Sequence, residues 1–60
     1  MDVIGEVVKK TGKSRAEVEK AAKELWDGRT PQQERAKRGG TDPGRIDNKL
    51  VDELTRKCGS

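Results

Sequence analysis

Residues 7–14 read VVKKTGKS and end in Gly12-Lys13-Ser14, the close of a phosphate-binding loop. In such a loop backbone amides cradle a nucleotide's phosphates while the lysine and the hydroxyl serve the terminal phosphate and its magnesium. The pattern requires a glycine five residues before Gly12, because the backbone there must turn tightly and approach the phosphates, and Val7 stands at that place. It also requires a buried strand in a parallel sheet, and 60 residues do not build that βαβ scaffold. Nucleotide chemistry is set aside, and Thr11-Gly12-Lys13-Ser14 has to be explained as architecture.

Other chemistries lack their groups. There is no histidine and Cys58 is the single cysteine, so neither a metal site nor an internal disulfide is expected. Cys58 reads as an inert tail residue; oxidative cross-linking of two copies is the alternative, which leaves a homodimer open. General acid–base catalysis needs groups tuned by burial in a pocket, whereas the carboxylates here stand beside lysines and arginines at pairing distance on wet helix faces. No enzyme and no cofactor are expected. No apolar run is long enough for a membrane span or a signal peptide, so no membrane partner is expected and the cytoplasm is the default compartment.

Charge is the most informative bulk property. The chain is 42% charged and 28% hydrophobic, with a net charge of +3 and neither Phe nor Tyr. That composition borders on disorder, and a core this small leaves only a few kcal/mol of net stability. Acidic and basic residues balance over 1–28 and again over 46–60. The excess lies in 29–45, where Arg29, Arg35, Lys37, Arg38 and Arg45 face only Glu34 and Asp42. Such a cluster attracts polyanions over about a Debye length, roughly 8 Å in physiological salt; as a plain alternative, it is a solvated stretch that keeps the domain in solution.

The elements that must carry these residues follow from apolar spacing. Val3, Ile4, Val7 and Val8 mark one helical stripe, which Asp2 can cap. Gly12 supplies a left-handed stop, and Ser14 with Glu17 reads as a capping box for a second helix over about Arg15 to Asp27. Val18, Ala21, Ala22, Leu25 and Trp26 line one face of that helix, and Gly28 ends it. Thr30-Pro31-Gln32-Gln33 is another helix start, but only Ala36 is available to bury, so a short wet helix is expected before Gly39-Gly40 breaks it. Thr41-Asp42-Pro43-Gly44 reads as a turn. Ile46, Leu50, Val51 and Leu54 mark the last helix, with Asp52/Arg56 and Glu53/Lys57 as four-residue ion pairs on its wet face, as Glu6/Lys10 is on the first helix. The expected fold is all-α: one domain over 1–58, a small three-helix bundle with a helix-turn-helix-like hairpin, a possible short fourth helix in the basic 29–45 connection, and 59–60 as a tail.

Residues 3–25, VIGEVVKKTGKSRAEVEKAAKEL, resemble the opening of the bacterial HU/IHF nucleoid proteins, with two helices joined by a Thr-Gly-x-Ser corner and then Glu19, Lys20 and Ala21 in the second helix. Residues 34–43, ERAKRGGTDP, resemble that family's arginine-rich arm with its intercalating proline. The resemblance implies DNA binding, with Arg35 and Arg38 as phosphate or minor-groove contacts and Pro43 as a wedge. The family's β-sheet has no counterpart, since only eight residues, Trp26 to Gln33, separate the two stretches. The helix, glycine corner and Ser-capped helix are equally similar to small ubiquitin-associated domains.

Two functions follow. The first is a non-catalytic DNA-binding accessory or regulatory protein that contacts the backbone through Arg29, Arg35, Lys37, Arg38 and Arg45, with Lys13 and Arg15 at the corner. The second helix itself carries Glu17, Glu19, Glu24 and Asp27 against Arg15, Lys20 and Lys23, an unfavourable balance for lying in a groove. The second is a module binding a partner protein, with Trp26 as anchor beside Leu25 and Val18; as an alternative, Trp26 belongs to the core.

Overall fold

A computed structural model of the chain describes residues 2–40 and 42–59, with only the backbone of Pro43. Val3, Ile4 and Val7 fall on one face of α1 (Val3–Thr11), and all three are buried. Gly12 ends this helix at φ 75°, and its amide donates to the Val8 carbonyl at 2.8 Å. Left-handed backbone is what allows the chain to reverse there without a clash at Cβ. The Thr11 hydroxyl donates back to Val7 O at 2.8 Å and accepts from the Lys13 amide at 3.2 Å, so the corner is tied on both sides of Gly12.

Helix α2 (Arg15–Leu25) starts on Ser14, whose Oγ accepts from the Glu17 amide at 3.2 Å. The expected capping box is half made, because among the described residues the Glu17 carboxylate gives no bond back to Ser14. The helix also ends two residues earlier than the sequence suggests. Trp26 caps it, Asp27 at φ 53° and Gly28 at φ 85° make a left-handed reversal, and the Gly28 amide reaches Lys23 O at 2.6 Å. Aspartate tolerates that conformation better than most side chains.

Helix α3 (Pro31–Arg38) has both halves of a capping box: Gln33 N donates to Thr30 Oγ1 at 3.2 Å, and Thr30 N donates to Gln33 Oε1 at 3.0 Å. It is a full helix of eight residues. Its buried residue is Glu34, whereas Ala36, expected to anchor it, is exposed.

Helix α4 (Pro43–Gly59) is the longest. Where a turn was expected at 41–44, Asp42 caps the helix, its Oδ1 accepting from Arg45 N at 3.2 Å, and Pro43 and Gly44 form the first turn. Asp-Pro is a helix start because proline lacks the amide that the first position leaves unpaired and already has the helical φ. Thr41 lies outside the described residues. Gly59, expected in a tail, closes α4, and Ser60 lies outside the described residues.

The described residues are thus all-helical, in four helices and without a strand. Leu50, Val51 and Leu54 of α4 meet Val3, Ile4 and Val7 of α1 and Val18, Ala22 and Trp26 at the α2 end, forming one buried cluster. Asp2, Val3 and Ile4 share a cleft with Asp47 while Lys10 shares a groove with Thr55, so α1 runs beside α4 in the same direction. Trp26 meets Glu53 and Glu24 meets Lys57, so α2 runs against it. The Cα radius of gyration of 10.5 Å equals, within a few tenths, the ~10.4 Å of a packed chain this long. No described helix is long and apolar enough to cross a membrane.

Candidate nucleic-acid interface

The arginines of 29–45 divide sharply by their surroundings. The Arg38 fork takes both oxygens of Glu53, with Nη1 to Oε2 and Nη2 to Oε1 both at 2.8 Å, and its Nε donates to Glu34 Oε2 at 2.7 Å. Arg29 Nε donates to the other Glu34 oxygen at 2.9 Å. Arg35 Nη1 lies 3.3 Å from Asp47 Oδ2. Two of the three carboxylates are buried, the Glu34 side chain 7% exposed and that of Asp47 5%, against 30–36% for the three arginines and 37% for Glu53. Planar guanidinium geometry suits this work, since a fork satisfies two carboxylate oxygens at once.

The electrostatics follow. Arg38 first and Arg29 second hold the Glu34 carboxyl below the usual carboxylate range, against the opposing effect of burial. Arg38 does the same for Glu53, with desolvation opposing and the Trp26 indole assisting. Glu53 and then Glu34 raise the Arg38 guanidinium further above its already high value. Three of the cations expected to face phosphate are therefore occupied inside the fold, and the mechanism is visible in the distances: α3 lies on α4 through charge.

The other expected contacts remain available. Lys37 and Arg45 are exposed and make no ion pair among the described residues. Arg45 contributes only its amide to the Asp42 cap. Lys13 sits exposed on the corner between α1 and α2. Arg15 is 58% exposed and shared between Asp2 at 3.1 Å and Glu19 at 3.7 Å; Asp2 raises the Arg15 guanidinium and Arg15 lowers the Asp2 carboxyl.

Sequence reasoning gave no binding role to several lysines. Lys9 and Lys10 end α1, Lys20 and Lys23 lie on α2, and Lys49 lies on α4; all are exposed and without an ion pair among the described residues. Because α1 and α4 run together and α2 starts where they end, Lys9, Lys10, Lys13, Lys20 and Lys57 gather toward one end of the bundle. Lys13, Lys20 and Lys57 line a shared groove there with Glu17 and Glu24. Part of this enrichment serves helix stability, since cations in a last turn complement the helix dipole. Of the expected four-residue pairs, Asp52–Arg56 forms at 3.1 Å, whereas Glu6 and Lys10 make none, Glu53 turns to Arg38 and Trp26, and Lys57 reaches Glu24 at 3.9 Å.

The residues expected to meet a partner protein are mostly internal. Val18 is fully buried and Trp26 4% exposed, its indole Nε1 donating to Glu53 Oε1 at 3.4 Å. Leu25 is 36% exposed. Cys58 is half-buried against the core. The Pro43 side chain, implied as a wedge by the HU/IHF resemblance, lies outside the described residues.

Compared with protein-family models, with curated proteins and with solved structures, the chain has no match.

Proposed function

We infer that this is a non-catalytic accessory domain that holds the phosphate backbone of a nucleic acid, with DNA as first choice, through its lysine-bearing end and the α1–α2 corner. The observation that supports this reading is the uneven use of charge. Arg29, Arg35 and Arg38 are matched by Glu34, Asp47 and Glu53, while Lys9, Lys10, Lys13 and Lys20 have no anionic partner among the described residues. Unpaired ammonium groups on flexible exposed stems can neutralise phosphates and so release the cations condensed on the nucleic acid, which is the sequence-independent source of affinity.

In this reading α1, the Thr11–Ser14 corner and α2 form a helix-turn-helix-like hairpin that meets the backbone with its corner. Glu17, Glu19 and Glu24 keep α2 out of the major groove, so the contacts position the protein and read little sequence. Lys37 and Arg45 lie on other elements and add a second, smaller contribution. The arginines drop out of the first contact. The protein-module alternative retains only Leu25 as an accessible apolar anchor, because Trp26 and Val18 are occupied by the core.

The test is titration of a 20-base-pair duplex at 50 and 200 mM salt. Three or four phosphate contacts give a slope of log K against log salt of roughly −3, with similar affinity for unrelated sequences. Absence of binding at 50 mM salt contradicts the reading.

A further inference from the structure

Helix α3 is attached differently from the other three. The buried apolar cluster is drawn from α1, α2 with its Trp26 cap, and α4. Helix α3 contributes no side chain to it: Glu34 is its buried residue, Ala36 is exposed and Pro31 is half-buried. What holds α3 on α4 is the Arg38–Glu53 fork and the Arg35–Asp47 pair, with Glu34 tying Arg29 and Arg38 to each other. Hydrophobic burial is insensitive to salt at these concentrations, whereas ion pairs with arginines 30–36% exposed and a Glu53 side chain 37% exposed are open to screening.

The chain on both sides of α3 is built to turn. Gly28 precedes it at φ 85°, and Gly39 and Gly40 follow at 66° and 110°. Gly40 lies close under Ile46, where a Cβ would meet Cδ1 at 3.0 Å, so the reversal from α3 into α4 is tight when α3 is docked.

We propose that Glu34, Asp47 and Glu53 occupy, in the free protein, an arginine site for phosphate, and that a polyanion displaces them, releasing α3 from α4 as a basic arm. Phosphate competes for the same groups because a guanidinium fork donates to carboxylate and phosphate oxygens in the same bidentate geometry. The polyanion also gains counterion entropy that an internal carboxylate does not. On release Asp47 and Glu53 remain on α4 and become solvated, and Arg29, Arg35 and Arg38 leave with the α3 segment. The site is thus masked in the free domain; release of α3 breaks the Arg35–Asp47 and Arg38–Glu53 pairs, and phosphate then replaces Glu34 on Arg29 and Arg38. It rests on the polyanion-binding reading for its ligand, while the electrostatic attachment of α3 stands on the contacts just described.

The experiment is amide hydrogen exchange on the intact chain at 50 mM salt, without and with a 20-base-pair duplex, together with duplex affinities of Glu34→Gln and, as a charge-matched control, the exposed Asp27→Asn. The expected result is exchange at Glu34 to Arg38 at least about tenfold faster with duplex present, while Leu50 and Leu54 stay protected. Glu34→Gln should bind about tenfold tighter than Asp27→Asn. Protection at Leu50 and Leu54 verifies that each variant is folded. Duplex binding with α3 amides unmoved, or equal affinities for the two variants, overturns the masked site and leaves the lysine-end reading standing. No duplex binding by any of the proteins removes both.

Discussion

Arg38 and Glu53, fifteen residues apart in sequence, meet as a two-bonded fork, with both N–O distances at 2.8 Å, and the same glutamate accepts from the Trp26 indole. This joins the end of α3 to the middle of α4 and to the cap of α2. The pair turns what composition presents as a free basic stretch into a structural joint.

Truncating Arg38 leaves the buried Glu34 carboxylate with one arginine and Glu53 without its fork. Arg38→Ala is expected to cost about 1–3 kcal/mol. Arg56→Ala removes a pair whose side chains are 80% and 62% exposed and should change stability by less than about 0.5 kcal/mol. Urea denaturation followed by Trp26 fluorescence separates the two.

Acid should weaken the fold through Glu34 and Glu53. Both carboxyls titrate below their ordinary value of 4.5 in the folded chain, mainly because of Arg38. A group with a depressed folded pKa binds its proton more readily when unfolded, so its contribution is complete above the ordinary carboxylate value. It is lost as pH falls through the folded value. Stability should be flat from neutrality to about pH 5 and fall below that, and Glu34→Gln should flatten the fall, as read from urea midpoints across pH.

Core truncation should be decisive in so small a domain. Leu50 and Leu54 are fully buried. Either one changed to Ala is expected to lose about 2–5 kcal/mol, enough to unfold a domain with only a few kcal/mol to spare. Leu25→Ala, at 36% exposure, should be tolerated. Far-ultraviolet circular dichroism at 25 °C distinguishes the outcomes.

The corner between α1 and α2 depends on backbone geometry at Gly12. A Cβ there meets nothing within 4 Å, yet φ is 75°, so the penalty of substitution is conformational and not steric crowding. Gly12→Ala should cost about 1–2 kcal/mol with little change in the shape of the melting curve.

Much of the fold is written locally and can be read from the chain. Gly12, Ser14 and the Thr30-Pro31-Gln32-Gln33 cap act within four residues, and Val3, Ile4, Val7, Val18, Leu50 and Leu54 announce their burial by period. The start of α4 was equally local, but Asp42-Pro43-Gly44 has the composition of a turn as well as of a helix cap, and only the continuing helix decides between them. Glu34 and Arg38 stand four apart and could be paired from sequence. Arg38 with Glu53 and Arg35 with Asp47 could not, because they depend on how α3 lies across α4. Counting charges along 29–45 does not reveal that Arg29, Arg35 and Arg38 are ion-paired within the fold, nor that parallel α1 and α4 bring scattered lysines toward one end.

The most direct test of the account is a nuclear magnetic resonance titration of the chain with the 20-base-pair duplex at low salt, comparing wild type with Lys10→Ala/Lys13→Ala. The account predicts shifts at the amides of Lys9 to Arg15 at the lowest duplex ratios and their loss, with weaker binding, in the double variant. Shifts confined to Val18 through Trp26, or binding that the double variant leaves unchanged, would contradict it.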